Sequence, residues 1–275
     1  MISQPLRRFT VVPQGGLGNR MRVIRSAYAL ALETGADVRV AFAENAECRC
    51  RFEDVFAKIE LPSGNFHIIP AGLLDAPPSR RNFHLPQIAR TFFYDLQLNG
   101  FAAYGKEELL RLPVACKRIY ISTCYEFFGS APEMQSLFKP SVAVNEALRG
   151  ITERFAGRMV GLHVRTTDNA PAVSKSPYKL FEEAARRELE KHPETIFFLA
   201  TDGSEVKRRF VSEFGSRVIT SEAELSRSTV KGMIAAAADM FALSRCDVIY
   251  GSHYSSFSEI AAELGGKRAE ILRLS

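Results

Sequence analysis

No apolar run in the chain approaches the ~18–20 residues that a helix needs to cross a bilayer, so no transmembrane segment is expected. The start, Met-Ile-Ser-Gln-Pro-Leu-Arg-Arg, lacks an apolar core leading to a small-residue cleavage site, which argues against a secretory leader and for a cytoplasmic protein. Cysteine is sparse and irregular. Cys48, Cys50, Cys116, Cys124 and Cys246 form no Cys/His set with zinc spacing, and Cys48-Arg-Cys50 is too close for a C-x-x-C redox pair, so reduced thiols are expected. No segment repeats, and the one biased stretch, Ala235 to Ala238, reads as tight helix packing. Acid is missing from the start: Arg7, Arg8, Arg20, Arg22 and Arg25 all precede the first carboxylate, Glu33.

What is present points to a globular protein. The 275 residues are 46% apolar and include 20 Phe, enough to fill a sizeable core, so disordered and fibrous classes are excluded. The length suits one large domain or two of ordinary size. The net charge of +5 is unevenly placed, for residues 151–275 hold 18 bases against 17 acids. A nucleic-acid binder would present a wide basic face, so no nucleic-acid partner is expected. A local arginine cluster suits a single anionic group such as a phosphate, or a solvated basic edge.

Strands and helices alternate. Phe9-Thr-Val-Val-Pro13 reads as a strand, Gln14-Gly-Gly-Leu-Gly18 as a turn, and Met21, Ile24, Tyr28 and Ala31 recur at helical spacing until Gly35. Val38, Val40 and Phe42 alternate as a second strand. Between 45 and 140, repeated prolines leave one clear strand, Arg118-Ile-Tyr-Ile-Ser122. A linker is expected near Lys139-Pro140 and a helix over 142–155. Beyond it, strands are expected at 159–164, 195–200, 217–220, 247–250 and 269–274. Helices should lie between them, one opening on Ser176 as N-cap and Pro177 as first residue. The pattern implies parallel βαβ units, whose ligands bind beyond the carboxyl ends of the strands.

The residues at those ends are small, polar or basic. Val164 is followed by Arg165-Thr-Thr-Asp168, Ala200 by Thr201-Asp202-Gly203, Tyr250 by Gly251-Ser-His-Tyr-Ser255-Ser256-Phe257, and Pro13 by the turn running to Asn19-Arg20. Two of these turns open helices, where unpaired amides and the helix dipole favour an anion. Each also has a plain structural reading: a tight connection for the glycine turn, N-caps for the serines, an ion pair with Asp168 for Arg165, a core position for His163. Together they favour an anionic-nucleotide cleft.

Gly15-Gly-Leu-Gly-Asn-Arg20, His163-Val-Arg-Thr-Thr-Asp168, Ala200-Thr-Asp202, and Asp239 through Asp247 followed by Ser255-Ser-Phe257 come in the order seen in GDP-fucose-dependent fucosyltransferases. The chain resembles the superfamily that joins α1,6-fucosyltransferases, rhizobial nodulation fucosyltransferases and protein O-fucosyltransferases, over residues 9–30 and 158–264. That resemblance implies an α/β fold of two Rossmann-like domains in a GT-B-like arrangement, an acceptor-side domain over 1–145 and a nucleotide-sugar domain over 146–275. It implies Arg165 on the diphosphate and Asp239 on guanine. Ser255 and Ser256 would meet phosphate, with Phe257 near the base and His163 by the nucleotide. Asn19 would lie near the diphosphate or the reacting sugar, and Asp202 would line the cleft. Apart from the resemblance, Gly16 and Gly18 of the glycine turn and the basic Arg20 with Arg22 are candidates to complete the diphosphate site. The chain departs from the family at two points: Thr166 follows Arg165 where many α1,6 members have a second arginine, and no acid lies between Asp168 and Glu182.

The expected reaction is transfer of fucose from GDP-fucose to a carbohydrate acceptor with inversion. There is no D-x-D pair to hold a divalent metal, so no metal or other cofactor is expected and Arg165 with helix amides carries the leaving group. Asp168 is the candidate base. A transferase of the same fold using another sugar nucleotide would not need Asp239 to read guanine. A non-catalytic nucleotide- or glycan-binding protein would keep the cleft and lack turnover.

Overall fold

The computed structural model describes residues 7–77, 79–99, 105–129, 132–166, 174–222 and 226–274. Two α/β units are present. One comprises Met1–Glu53 and Lys58–Pro132, the other Asp54–Ala57 and Glu133–Ser275.

The first unit holds β1 (Arg8–Pro13), β2 (Asp37–Phe42), β3 (Phe66–Pro70), β4 (Leu96–Asn99) and β5 (Arg118–Thr123) in the order β3-β2-β1-β5-β4. Every pairing is parallel. Helix α1 (Leu17–Thr34) connects β1 to β2 and ends at Gly35, whose φ of 68° closes it in the left-handed region. β3 and β4 fall where the sequence suggested only one strand, β5. Both are sheet edges: β3 ends on Pro70, and β4 has four residues, too few to show a period. Helix α2 (Leu85–Phe93) precedes β4.

The second unit repeats the plan. Its strands are β6 (Met159–Val164), β7 (Ile196–Thr201), β8 (Val218–Thr220), β9 (Val248–Ser252) and β10 (Glu270–Leu272), in the order β10-β9-β6-β7-β8, again all parallel. Helices α3 (Val142–Thr152), α4 (Tyr178–Lys191), α5 (Ser204–Phe214), α6 (Val230–Ser244) and α7 (Ser256–Leu264) cover it. β6 is buried along its whole length, as a central parallel strand must be. Val160, Leu162 and Val164 point to one face, where Phe181 and Ala185 of α4, Phe197, Leu199 and Phe210 complete a core. Each such buried aromatic contributes about 1.5–3 kcal/mol. Gly161 points to the opposite face, against Leu243 and Cys246. By the two-residue period of a strand, His163 and Arg165 start out on that face.

Ser176 departs from expectation. Helix α4 starts at Tyr178 with Pro177 in the cap position, and Ser176 makes no cap bond. Its buried hydroxyl instead donates to the Leu272 carbonyl and accepts from the His253 amide, so it ties the ends of β9 and β10 to the start of α4. A strand-to-strand tie satisfies both sides of the hydroxyl, which an N-cap would not.

Candidate functional site

The turn after β1 is shaped from within. Gly15 has a φ of 81°, and a Cβ on it would lie 2.8 Å from the Asn19 Nδ2, so only glycine fits there. Gly16 caps α1 without any side-chain bond to the first amides, and Gly18 is the second residue of that helix. Asn19 is half-buried beside the turn. Arg20 is fully buried. Its Nε donates to the Gly15 carbonyl at 2.8 Å, Nη1 to the Ala43 carbonyl at 2.5 Å and Nη2 to the Asn45 Oδ1 at 2.9 Å. The guanidinium also lies 4.8 Å from the centre of the Phe42 ring. All three nitrogens thus hold the glycine turn to the segment after β2.

In the second unit, the carboxyl ends of β6, β7 and β9 meet. Arg165 directly follows β6; its Nε lies 3.2 Å from Asp202 Oδ2, and both side chains are largely buried. Asp202 Oδ1 accepts from the Thr166 amide at 2.7 Å and the Thr166 hydroxyl at 2.8 Å. The carboxylate at the end of β7 therefore grips two successive residues leaving β6. From the other side, the Arg165 amide donates to Ser252 Oγ at 3.0 Å, and that hydroxyl donates to the His163 carbonyl at 3.2 Å. Thr166 and Ser252 are not singled out by the sequence. The available signal was a hydroxyl residue at each strand end, which is too common to stand out.

His163 is buried, with its ring stacked on Phe257 at 4.7 Å and 24°. Burial first, then the charge of Arg165, pushes its pKa down to about 3, so it stays neutral. Its Nδ1 has no hydrogen-bond partner among the described residues. Phe257 belongs to the first turn of α7, whose cap position is Ser255; the Ser255 hydroxyl makes no bond to the helix amides. Ser256 is the first helical residue. The helix comes close to its strand because Gly251 has no side chain, since a Cβ there would lie 2.3 Å from Ser258 Oγ.

Asp239 lies in α6 and is 1% exposed. Its Oδ1 has no partner among the described residues, and burial pushes the carboxyl pKa up to about 8 against the opposing charge of Lys207. Among the described residues, a buried carboxyl oxygen and a buried imidazole nitrogen thus both lack partners, a costly state in a folded protein unless something else binds them. An open hollow of 410 Å³ begins at Asp202, with Thr166, Gly203, Tyr178 and Arg209 in its lining.

No family model matches the chain, and no curated protein matches its sequence. Solved structures do. NodZ α-1,6-fucosyltransferase soaked with GDP-fucose superposes with a TM-score of 0.64 at 19% identity, over 94% of this chain and 92% of that one. A mutant of Arabidopsis thaliana FUT1 in complex with GDP gives 0.63 at 16%, over 97% and 70%. POFUT1 in complex with GDP gives 0.53 at 12%, over 98% and 99%. The chain has the fold of these fucosyltransferases.

Within this fucosyltransferase fold, the second sheet brings His163, Arg165, Asp202 and Phe257 together directly, with Ser252 as the link. Gly16, Gly18, Asn19 and Arg20 belong to the first unit. Asp168 lies outside the described residues. Among the described residues, no three His, Cys, Asp or Glu side chains are grouped to hold a metal ion. No described helix is long and apolar enough to cross a membrane.

Proposed function

We propose that the protein is an inverting, metal-independent fucosyltransferase of GT-B-like arrangement that moves fucose from GDP-fucose to a glycan acceptor. The observation that carries this is the pairing of Arg165 with Asp202 at the carboxyl edge of the second sheet, in a fold shared with fucosyltransferases over more than nine-tenths of the chain. In this reading the Arg165 fork meets the diphosphate, and its permanent charge stabilises the leaving GDP as positive charge develops on the sugar. Asp202 holds Arg165 in place. The uncapped amides of α7, with Ser255 and Ser256, receive phosphate oxygens. Asp239, giving up its proton on binding, accepts the N1–H and exocyclic amine of guanine, and His163 with Phe257 packs beside the nucleotide. Asp168 takes the acceptor hydroxyl's proton. In the first unit Gly16, Gly18 and Asn19 are candidate donor-binding residues, and Arg20 acts by holding their turn.

The test incubates the protein with GDP-fucose, with and without a glycan panel, and follows GDP release. Acceptor-dependent release supports fucosyl transfer. Thermal shifts with GDP, ADP and UDP decide the nucleotide, because a ligand that binds only the native state raises its stability. GDP should shift the melting temperature most. Equal shifts for GDP and UDP would sink the GDP-sugar reading in favour of another sugar nucleotide, and binding without turnover on any acceptor would favour a non-catalytic nucleotide-binding protein.

A further inference from the structure

Helix α2 turns its apolar side to solvent. Leu85, Ile88, Ala89 and Phe92 have the i, i+3, i+4, i+7 spacing of one helix face. Leu85, Ile88, Phe92 and Phe93 are 60%, 54%, 77% and 53% exposed, and Phe83 and Leu73 extend the patch at 77% and 92%. Every strongly exposed phenylalanine among the described residues belongs to this patch.

The orientation is built in. The one buried residue of α2 is Arg90, whose Nη1 donates to the Leu74 carbonyl at 3.1 Å and to Tyr120 Oη at 2.6 Å, with the guanidinium 4.3 Å over the Tyr120 ring. An arginine pinned inward forces the hydrophobic side outward. The approach to the helix is also held. Ser79 and Asn82 bond each other reciprocally, Asn82 Nδ2 reaches the Pro77 carbonyl, and the His84 amide returns to Asn82 Oδ1. These bonds hold Phe83 and His84 at φ values of 52° and 58°, left-handed conformations that non-glycine residues rarely adopt.

Charge says what the patch fits. Residues 73–94 contain Arg80, Arg81, Arg90 and His84 against one acid, the half-buried Asp75, whose carboxylate already accepts from the Gly72 amide, and Arg80 and Arg81 are exposed. We propose that this face of the first unit docks on a bilayer surface containing anionic lipids. Phe83 and the outer side of α2 enter the boundary between headgroups and acyl chains, while Arg80 and Arg81 meet lipid phosphates. A nine-residue helix lies in the plane of such a surface and is too short to cross it. A two-fold contact between copies is disfavoured, because it would bring Arg80 and Arg81 towards their own counterparts, and the segment's one carboxylate, Asp75, is half-buried and already engaged by the Gly72 amide.

The experiment floats the full chain with vesicles of phosphatidylcholine alone and of phosphatidylcholine with phosphatidylserine. Two variants accompany it, Phe83→Ser with Phe92→Ser, and Arg80→Glu with Arg81→Glu; their exposed sites should leave the melting temperature unchanged. The wild type should bind the phosphatidylserine vesicles preferentially and less so in high salt. The serine variant should lose about tenfold or more in binding, and the glutamate variant should lose the preference for phosphatidylserine. Failure of the wild type to bind phosphatidylserine vesicles overturns the proposal, as does unchanged binding by the serine variant. Sedimentation showing self-association that the serine variant abolishes would overturn it too, and would give the patch to a second copy.

Discussion

Arg165 and Asp202 form one device, with the carboxylate bonding both the guanidinium Nε and the following residue, Thr166. Arg165→Ala should therefore lower transfer by about 10²–10³, the usual scale for removing one charge-assisted contact to developing charge. It should also lower the melting temperature, because it takes the Arg165 counter-charge away from the largely buried Asp202 carboxylate. Arg165→Lys should rescue poorly, since an ammonium has no fork. Asp202→Asn should cost about tenfold by loosening Arg165, and the double variant should be no worse than Arg165→Ala alone, because the two losses are one loss. Additive losses in steady-state kinetics would separate their roles. Asp239 gives a pH prediction. The folded state holds its proton up to about pH 8, whereas the unfolded chain releases it near 3.8. The native state thus binds more protons across that window, so stability falls as pH rises through it and levels off above. Asp239→Asn should flatten this slope in thermal melts and lose the preference for GDP. The same slope in both proteins would mean that Asp239 is not buried as a neutral acid.

The turn between β1 and α1 is decided by packing among elements. Arg20 reads from the sequence as a basic residue beside a glycine turn, yet the Gly15 and Ala43 carbonyls and the Asn45 side chain take its donors. Arg20→Met should strand those acceptors and destabilise the first unit by about 2–4 kcal/mol in urea unfolding, without any ligand present. Unchanged stability combined with lost donor affinity would instead make Arg20 a direct phosphate contact.

Over the whole molecule, chain order and packing part company at one short segment. Asp54–Ala57 belongs to the second unit although it lies within the first unit's stretch of sequence. Phe56 is 1% exposed and packs against Phe138 and Phe241, with ring centres 5.1 and 6.3 Å away. The Ala57 amide donates to the Lys139 carbonyl, and Ser141 bonds back to Val55 and Asp54. Phe56→Ala should remove about 3–5 kcal/mol from the second unit, seen as faster amide exchange in β6 and α6 with β1 and β2 unaffected. Chelation tests the chemistry as a whole. With no D-x-D pair in the chain and Arg165 at the strand edge, transfer should persist in excess EDTA. Loss of activity restored by Mn²⁺ or Mg²⁺ would return a metal to the mechanism.

Much of this was legible in the sequence because it is local. Apolar runs such as Met159-Val-Gly-Leu-His-Val164 mark buried parallel strands, and small or charged residues after them mark the edge where ligands bind. Order along the chain therefore determined the alternating α/β plan and put Arg165 and Asp202 at strand ends, while their pairing, where the sequence suggested Asp168, came from the packing of β6 beside β7. The short edge strands β3 and β4 were not legible, since four or five residues broken by proline carry no period of their own. Nor were the partners of Arg20, Arg90 and Ser176, the burial of Asp239, or the outward face of α2. Apart from the local Arg20–Gly15 bond, each depends on which residues arrive from 16 or more positions away, or on which side of a helix a neighbour covers. An arginine carries the same charge wherever it lies; only the tertiary structure decides whether carbonyls, a carboxylate or an outside anion meets it.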